Sequence, residues 1–316
     1  MTNIVFLDRY SLCDRDLSLI ESLGRYTAYD DTPRDKVAER LADADVAIAN
    51  KVLIDGQTMR RLPRLKLICV AATGMNNIDL ETAAELGIEV RNAVGYSTYS
   101  VAETTLCSAL ALMREVVYFD EYFKSGRYAA AERMFCYDRP TRQLRGRNWG
   151  IIGLGNIGRE VARLATAFGC RVSYFSTSGA KREEEYPQLP LGELLADSDI
   201  VSIHSPLNDR TRGLIGREEL SAMKPAAILI NVARGGIVDE QALAEALDND
   251  TIAGAALDVF SSEPLRESPL YRLRDPYKLL ASPHNAWSSA EAIDRLVECI
   301  AENIRSSEAL RKGARL

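Results

Sequence analysis

The 316-residue chain is poor in histidine and tryptophan, with two of each. With only His204 and His284 present, few side chains can exchange a proton near neutral pH. Positive charge is also in short supply. The net charge of -6 gives no support to nucleic-acid or anionic-membrane binding, since either favours a basic face. No apolar run approaches the roughly 18 residues that a bilayer span requires. Near the N-terminus, Ile4-Val5-Phe6-Leu7 is followed at once by Asp8 and Arg9, which reads as a short buried strand and not as the core of a signal peptide. The six cysteines (Cys13, Cys69, Cys107, Cys136, Cys170 and Cys299) have no paired metal-ligand spacing. They read as buried thiols of a reducing cytoplasm, so no metal is expected and a cytoplasmic protein is.

What is present suits a globular protein. Apolar residues make up 47% and charged residues 27%, and the length allows two domains with separate cores. Short β-type runs alternate with helical stretches from end to end, the pattern of parallel α/β sheets. In the first hundred residues the strand candidates are Ile4–Leu7, Val46–Ala49, Leu67–Ala71 and Ile88–Val90, with helical stretches at Asp35–Ala42 and Leu80–Leu86. Ser100–Lys124 reads as one long helix, with Ser100 and Glu103 as a capping box and Gly126 past its end. Such a long apolar helix suits an interdomain or subunit-packing element. From Trp149 a second set follows: Gly150–Ile152, Arg171–Phe175, Ile200–His204, Ala227–Asn231, Ile252–Leu257 and Leu279–Ser282. The stretch Ala290–Ile304 is helical, with Ile293, Leu296, Val297 and Ile300 on one face. A tail that short should pack back on the first domain. The expected architecture is therefore α/β, with two Rossmann-like doubly wound parallel-sheet domains and a cleft between them. One domain is residues 1–98 plus 288–316, flavodoxin-like; the other is 99–287.

Gly153-Leu154-Gly155-Asn156-Ile157-Gly158 fits G-x-G-x-x-G. The string alone is weak, but here a strand precedes it, and Ile157, Val161, Leu164 and Phe168 mark a helical face behind it. A second strand then completes a βαβ unit. In this setting the glycines permit the tight turn, the approach of backbone to a pyrophosphate and close helix–strand contact. Residues 99–287 are thus the expected dinucleotide domain, leaving the other to bind substrate. An NAD-preferring site places a carboxylate about 20 residues beyond the loop. Here Ser176-Thr177-Ser178-Gly179 follows the second strand, with Lys181 and Arg182 behind it and no acid before Glu183. Without that charge a 2′-phosphate is not repelled, so NADP is expected to serve as well as NAD.

Three passages of the last third each set one ionisable residue just after an apolar run: Arg234 in Asn231-Val232-Ala233-Arg234-Gly235-Gly236, Glu263 in Asp258-Val259-Phe260-Ser261-Ser262-Glu263-Pro264, and His284 in Ser282-Pro283-His284-Asn285-Ala286-Trp287. Hydride delivery to a 2-oxo acid creates an alkoxide beside a carboxylate, and these groups answer that demand. The planar fork of Arg234 can hold the carboxylate and carbonyl oxygen. His284 can donate the proton, and a carboxylate such as Glu263 beside it fixes the ring and favours its charged form. All three follow strand ends, where doubly wound sheets bind ligands. His204, which also ends a strand, is expected to line the nucleotide pocket.

With these motifs in this order and spacing, the chain resembles the D-isomer-specific 2-hydroxyacid dehydrogenases over nearly its whole length. The resemblance implies that Arg234 binds substrate, Glu263 supports the histidine and His284 is the acid/base. It implies a dinucleotide held by Gly153, Gly155, Asn156, Ile157 and Gly158 at the pyrophosphate and by Ser176 where the ribose acid usually stands. Thr73, Ser205, Val232 and Ala233 complete those contacts, and Asp258 meets the nicotinamide carboxamide. Ala72-Thr73-Gly74-Met75-Asn76-Asn77 looks like the family's substrate loop, in which the amides of Gly74 and Met75 receive the carboxylate. Asn50-Lys51-Val52, Gly95-Tyr96-Ser97-Thr98 and Ala286-Trp287 lean toward the glycerate dehydrogenase/hydroxypyruvate reductase branch. A small 2-oxo acid and a homodimer are the partners this implies. The chain departs from the family at Ser176, and at Ala102-Glu103-Thr104-Thr105, where many relatives read Ala-Glu-His-Thr.

Other readings remain on the table. Reductases of pyruvate or longer 2-oxo acids share every motif named. Formate dehydrogenases of the family resemble a pattern with Gln in place of Glu263, which argues against that activity. Co-repressors of the family keep the triad as scaffolds and carry extra terminal segments; this chain opens on a strand and ends soon after its final helix, which disfavours them.

Overall fold

The computed structural model describes residues 1–179 and 185–313. Lys181, Arg182 and Glu183, which the sequence offered beside Ser176, lie outside the described residues. Two compact units divide the chain, one of Met1–Ser97 with Ser288–Leu316 and one of Thr98–Trp287. Among the described residues no helix is long and apolar enough to cross a membrane. Both units are built on parallel sheets, the α/β class that the alternation of short apolar runs and helices implied.

In the first unit β1 (Asn3–Phe6), β2 (Arg25–Ala28), β3 (Val46–Ala49), β4 (Leu67–Val70) and β5 (Glu89–Asn92) lie in the order β2-β1-β3-β4-β5. Strands β3 and β4 are buried at every position, as continuous apolar runs are when both faces of a parallel sheet are covered. Strand β2 is not among the expected strands. It reads Arg-Tyr-Thr-Ala, alternately exposed and half-buried, an edge strand without an apolar run. The strand order reverses between β1 and β3, which parts the loops that follow them. There the Asp8 carboxylate accepts the amides of Asn50, Lys51 and Val52 at 2.8, 2.6 and 3.0 Å. The helix Ala290–Ser306 packs on β4 and β5 and buries the Ile293, Leu296, Val297 and Ile300 face read from its periodicity.

The second unit holds β6 (Asn148–Ile152), β7 (Arg171–Phe175), β8 (Ile200–Ile203), β9 (Ile228–Asn231), β10 (Gly254–Leu257) and β11 (Leu279–Ala281) in the order β11-β10-β9-β8-β6-β7. A single parallel bridge from Tyr174 to Gln188 extends it beyond β7. The order reverses between β6 and β8, so a crevice opens at their carboxyl ends. Trp149 is fully buried in β6, and its Nε1–H donates to Ser202 Oγ of β8 at 2.9 Å. The helix Thr98–Met113 packs against the helix Asn156–Ala167.

The single helix expected over Ser100–Lys124 is two helices, Thr98–Met113 and Val116–Lys124. Glu115 stands between them in the left-handed region (φ 53°), and its carboxylate pairs with Arg139 at 3.1 Å. No glycine or proline marks the break, so the apolar pattern runs straight across it. The start differs too. The helix begins at Thr98, which puts Ser100 inside its first turn and not at the cap.

Candidate active site

The glycine-rich loop joins β6 to the helix Asn156–Ala167. Gly153 has φ +94°, and a Cβ there would meet the carbonyl of His204 at 3.1 Å, so both conformation and space demand glycine. A Cβ on Gly155 meets nothing within 4 Å, and this residue caps the helix N-terminus. That is the open space and the row of amides that a pyrophosphate needs. Beside it lies a cavity of ≈240 Å³ lined by Gly153, Gly155, Ser176, His204 and Ser205, among others. Five residues expected at the dinucleotide therefore share one cavity, and Asn156, Ile157 and Gly158 open the helix beside it. Ser176 is half-buried at the strand tip, with its hydroxyl 3.3 Å from Ser178 Oγ. The residues present fit a dinucleotide.

His204 presents an imidazole whose Nε2 lies 3.0 Å from Ser202 Oγ, the same oxygen that accepts from Trp149. Its Nδ1 is shut off from water and has no hydrogen-bond partner among the described residues. Burial pushes the ring's pKa down to about 3, so this histidine is neutral and cannot serve as a proton donor.

The second cluster lies at the carboxyl ends of β9, β10 and β11. After β9, Asn231 braces the Arg234 turn: its Oδ1 accepts the Ala233 amide at 3.1 Å and its Nδ2 donates to the Arg234 carbonyl at 2.9 Å. The half-buried guanidinium donates to the Ala233 carbonyl at 2.7 Å. A Cβ on Gly235 would stand 1.7 Å from the Phe260 carbonyl oxygen, so only glycine lets this turn touch the segment that follows β10. In that segment Oε1 of Glu263 accepts the Phe260 amide at 3.0 Å, and Oε2 lies 2.6 Å from His284 Nδ1. A carboxylate on Nδ1 leaves Nε2 as the working nitrogen of the ring. Both side chains keep an open face, 21% exposed for His284 and 34% for Glu263.

Asp258 is 2% exposed and organises the loop that carries His284. Its Oδ1 accepts from Ser282 Oγ at 2.6 Å and the Asn285 amide at 2.8 Å, and its Oδ2 accepts the Ala286 amide at 2.9 Å. Its backbone carbonyl accepts the His284 amide at 2.8 Å. Val232, Asp258 and Ser282 also line a cavity of ≈160 Å³ with Thr104 and Ser108. Ser282 carries no signal in the sequence beyond standing before Pro283, so its bond to Asp258 emerges only from the fold. In the other unit Thr73, Gly74 and Met75 follow β4. Thr73 Oγ1 donates to the Ala93 carbonyl at 3.0 Å, and Asn50 Nδ2 donates to the Ala71 carbonyl at 2.9 Å, so this loop is braced from β3 and β5.

A dinucleotide cradle at the switch point of a parallel sheet, with a carboxylate–imidazole pair and an arginine at neighbouring strand ends, defines a nicotinamide-dependent oxidoreductase. Residues 106–286 match the NAD binding domain of the D-isomer specific 2-hydroxyacid dehydrogenases, and the chain belongs to that family. It is 36% identical over 307 residues to a glycerate dehydrogenase of Methylorubrum extorquens, covering 96% of this chain and 95% of the relative. It is 32% identical over 309 residues to a hydroxypyruvate reductase of Blautia hydrogenotrophica, covering 95% of each. Among solved structures, an NADPH-dependent glyoxylate/hydroxypyruvate reductase of Sinorhizobium meliloti, in complex with NADP and malonate, superposes with a TM-score of 0.83 at 27% identity, over 96% of this chain and 93% of that one.

Proposed function

We propose that the protein reduces a small 2-oxo acid of the hydroxypyruvate or glyoxylate kind to its D-2-hydroxy acid, using NADH or NADPH. The observation that carries this reading is the 2.6 Å pair of His284 and Glu263 at the carboxyl end of a dinucleotide-binding sheet. The names of the relatives, glycerate dehydrogenase and hydroxypyruvate reductase, narrow the substrate class. A nicotinamide held there would supply hydride to the carbonyl carbon. As negative charge gathers on the carbonyl oxygen, His284 gives up the proton from Nε2, and Glu263 holds the ring from Nδ1. In the reverse direction the same nitrogen takes the proton back. Arg234 holds the carboxylate and polarises the carbonyl, and the amides of Gly74 and Met75 receive the carboxylate from the loop after β4.

For the dinucleotide we assign the pyrophosphate to Gly153, Gly155, Asn156, Ile157 and Gly158 and the ribose to Ser176. His204 and Ser205 flank these groups, Thr73, Val232 and Ala233 add contacts, and Asp258 receives the carboxamide. Residues 1–98 with 288–316 are then the substrate domain and 99–287 the cofactor domain. We further assign the enzyme to the cytoplasm, consistent with six cysteines that form no disulfide, although only Cys69 and Cys170 are buried as expected; Cys13 and Cys107 are exposed, and Cys136 and Cys299 are half-buried. We also assign it a homodimeric state, supported by the apolar residues exposed after the first long helix, Val116, Val117, Phe123 and Phe135 among them. Initial rates with hydroxypyruvate, glyoxylate and pyruvate, each with NADH and NADPH, test the function. Turnover of at least one of the first two, with D-product, is expected; no turnover of any acid with either dinucleotide overturns it.

A further inference from the structure

The loop that carries His284 has an unusual backbone. His284 has φ 59°, the left-handed region that a β-substituted residue enters only when its surroundings hold it there. Asp258 supplies one grip, taking the Ala286 amide at 2.9 Å. The other side of the same residue is held by Ser100, whose hydroxyl donates to the Ala286 carbonyl at 2.6 Å across 186 residues of sequence. Ala286 and Ser100 are both buried, at 3% and 7% exposure.

The contrast within one helix is informative. Thr104, Thr105 and Ser108, also in Thr98–Met113, turn their hydroxyls back onto the helix carbonyls of Ser100, Val101 and Thr104 at 3.0, 2.8 and 2.8 Å. That is the ordinary fate of a hydroxyl inside a helix. Ser100 sits in the first turn, where no helix carbonyl lies four residues back, and it spends its proton on the catalytic loop instead.

Resting on the assignment of His284 as acid/base, we propose that Ser100 is a positioning residue for this reaction: by holding the Ala286 carbonyl against the pull of Asp258 on its amide, it keeps His284 in the left-handed well with its ring on Glu263. Without the hydroxyl, a buried carbonyl is left to find another donor. Its peptide plane tilts, and the displacement reaches His284 two residues away. A shift of the order of 1 Å in a reacting group is enough to cost about 100-fold in rate.

The test compares Ser100→Ala, Ser100→Thr and His284→Ala in full-length enzyme, with hydroxypyruvate as substrate and NADPH as dinucleotide. Expected for Ser100→Ala is a fall in kcat of about 10-fold or more, a dissociation constant for NADPH within twofold of the parent's, and a larger solvent deuterium isotope effect on kcat as proton transfer becomes limiting. Ser100→Thr, which keeps the hydroxyl, should recover most of kcat. If kcat of Ser100→Ala stays within twofold of the parent's while His284→Ala loses its rate, the positioning role is wrong. It is equally wrong if kcat and NADPH binding weaken together and the isotope effect does not move, because that is general loosening of the fold. If His284→Ala keeps its rate, the acid/base assignment fails, and this proposal falls with it.

Discussion

Glu263 places its two oxygens on different partners: Oε1 accepts the Phe260 amide at 3.0 Å and Oε2 lies 2.6 Å from Nδ1 of His284. The backbone contact fixes the carboxylate, and the carboxylate fixes the ring. His284→Ala should therefore lower kcat by roughly 10²–10⁴, the range for a lost general acid. Glu263→Gln keeps the shape and replaces the carboxylate on Nδ1 with a neutral amide, and about 10- to 100-fold is expected there. Steady-state rates across pH check both. A His284→Ala enzyme with the parent's rate and pH profile would refute the assignment.

The Arg234 turn depends on its neighbour. A methyl on Gly235 would fall 1.7 Å from the Phe260 carbonyl oxygen, and a backbone oxygen cannot rotate away as a side-chain tip can. Gly235→Ala should push the turn off the segment that carries Glu263, destabilise the protein by roughly 1–3 kcal/mol and cut kcat/KM sharply. Urea unfolding and steady-state kinetics on the same preparation measure both effects. Parent-like stability and rate would show that the two segments are not in contact in solution.

The sequence carried these two segments well because each motif sits on a strand end, and buried strands announce themselves as apolar runs. The glycine loop, Arg234, Glu263 and His284 were legible for that reason. Features held by side chains distant in sequence were not. The helix breaks at Glu115, whose carboxylate pairs with Arg139, 24 residues on, and Ser100 trades a capping role for a carbonyl 186 residues away. The edge strand β2 escaped because one of its faces meets solvent, and Arg-Tyr-Thr-Ala carries no apolar run.

Ser176 stands half-buried at the tip of β7 and lines the nucleotide cavity with Gly153 and Gly155. A hydroxyl there accepts either a ribose or its phosphate ester, whereas a carboxylate hydrogen-bonds the ribose hydroxyls and repels a 2′-phosphate. Ser176→Asp should shift selectivity toward NADH by about 10-fold or more, mainly through a higher KM for NADPH; two like charges in contact oppose binding by more than 1 kcal/mol at intermediate dielectric. The ratio of kcat/KM for the two dinucleotides reads it directly. An unchanged ratio would mean that the 2′ position lies elsewhere.

His204 gives a prediction about pH and stability. In the unfolded chain its pKa is near the ordinary 6.5, and burial lowers it to about 3 in the folded protein. Between those values the unfolded state binds a proton that the folded state refuses, so stability falls as pH drops through this window and is fully present above 6.5. His204→Gln removes the titrating group while keeping an amide that can reach Ser202 Oγ, 3.0 Å from Nε2 in the parent. The unfolding free energy of the variant, measured by urea titration from pH 7 down to about pH 4, should decline less steeply than the parent's. Other carboxylates titrate in both proteins and cancel in the difference. Parallel slopes would place the His204 pKa in the ordinary range and open the ring to solvent.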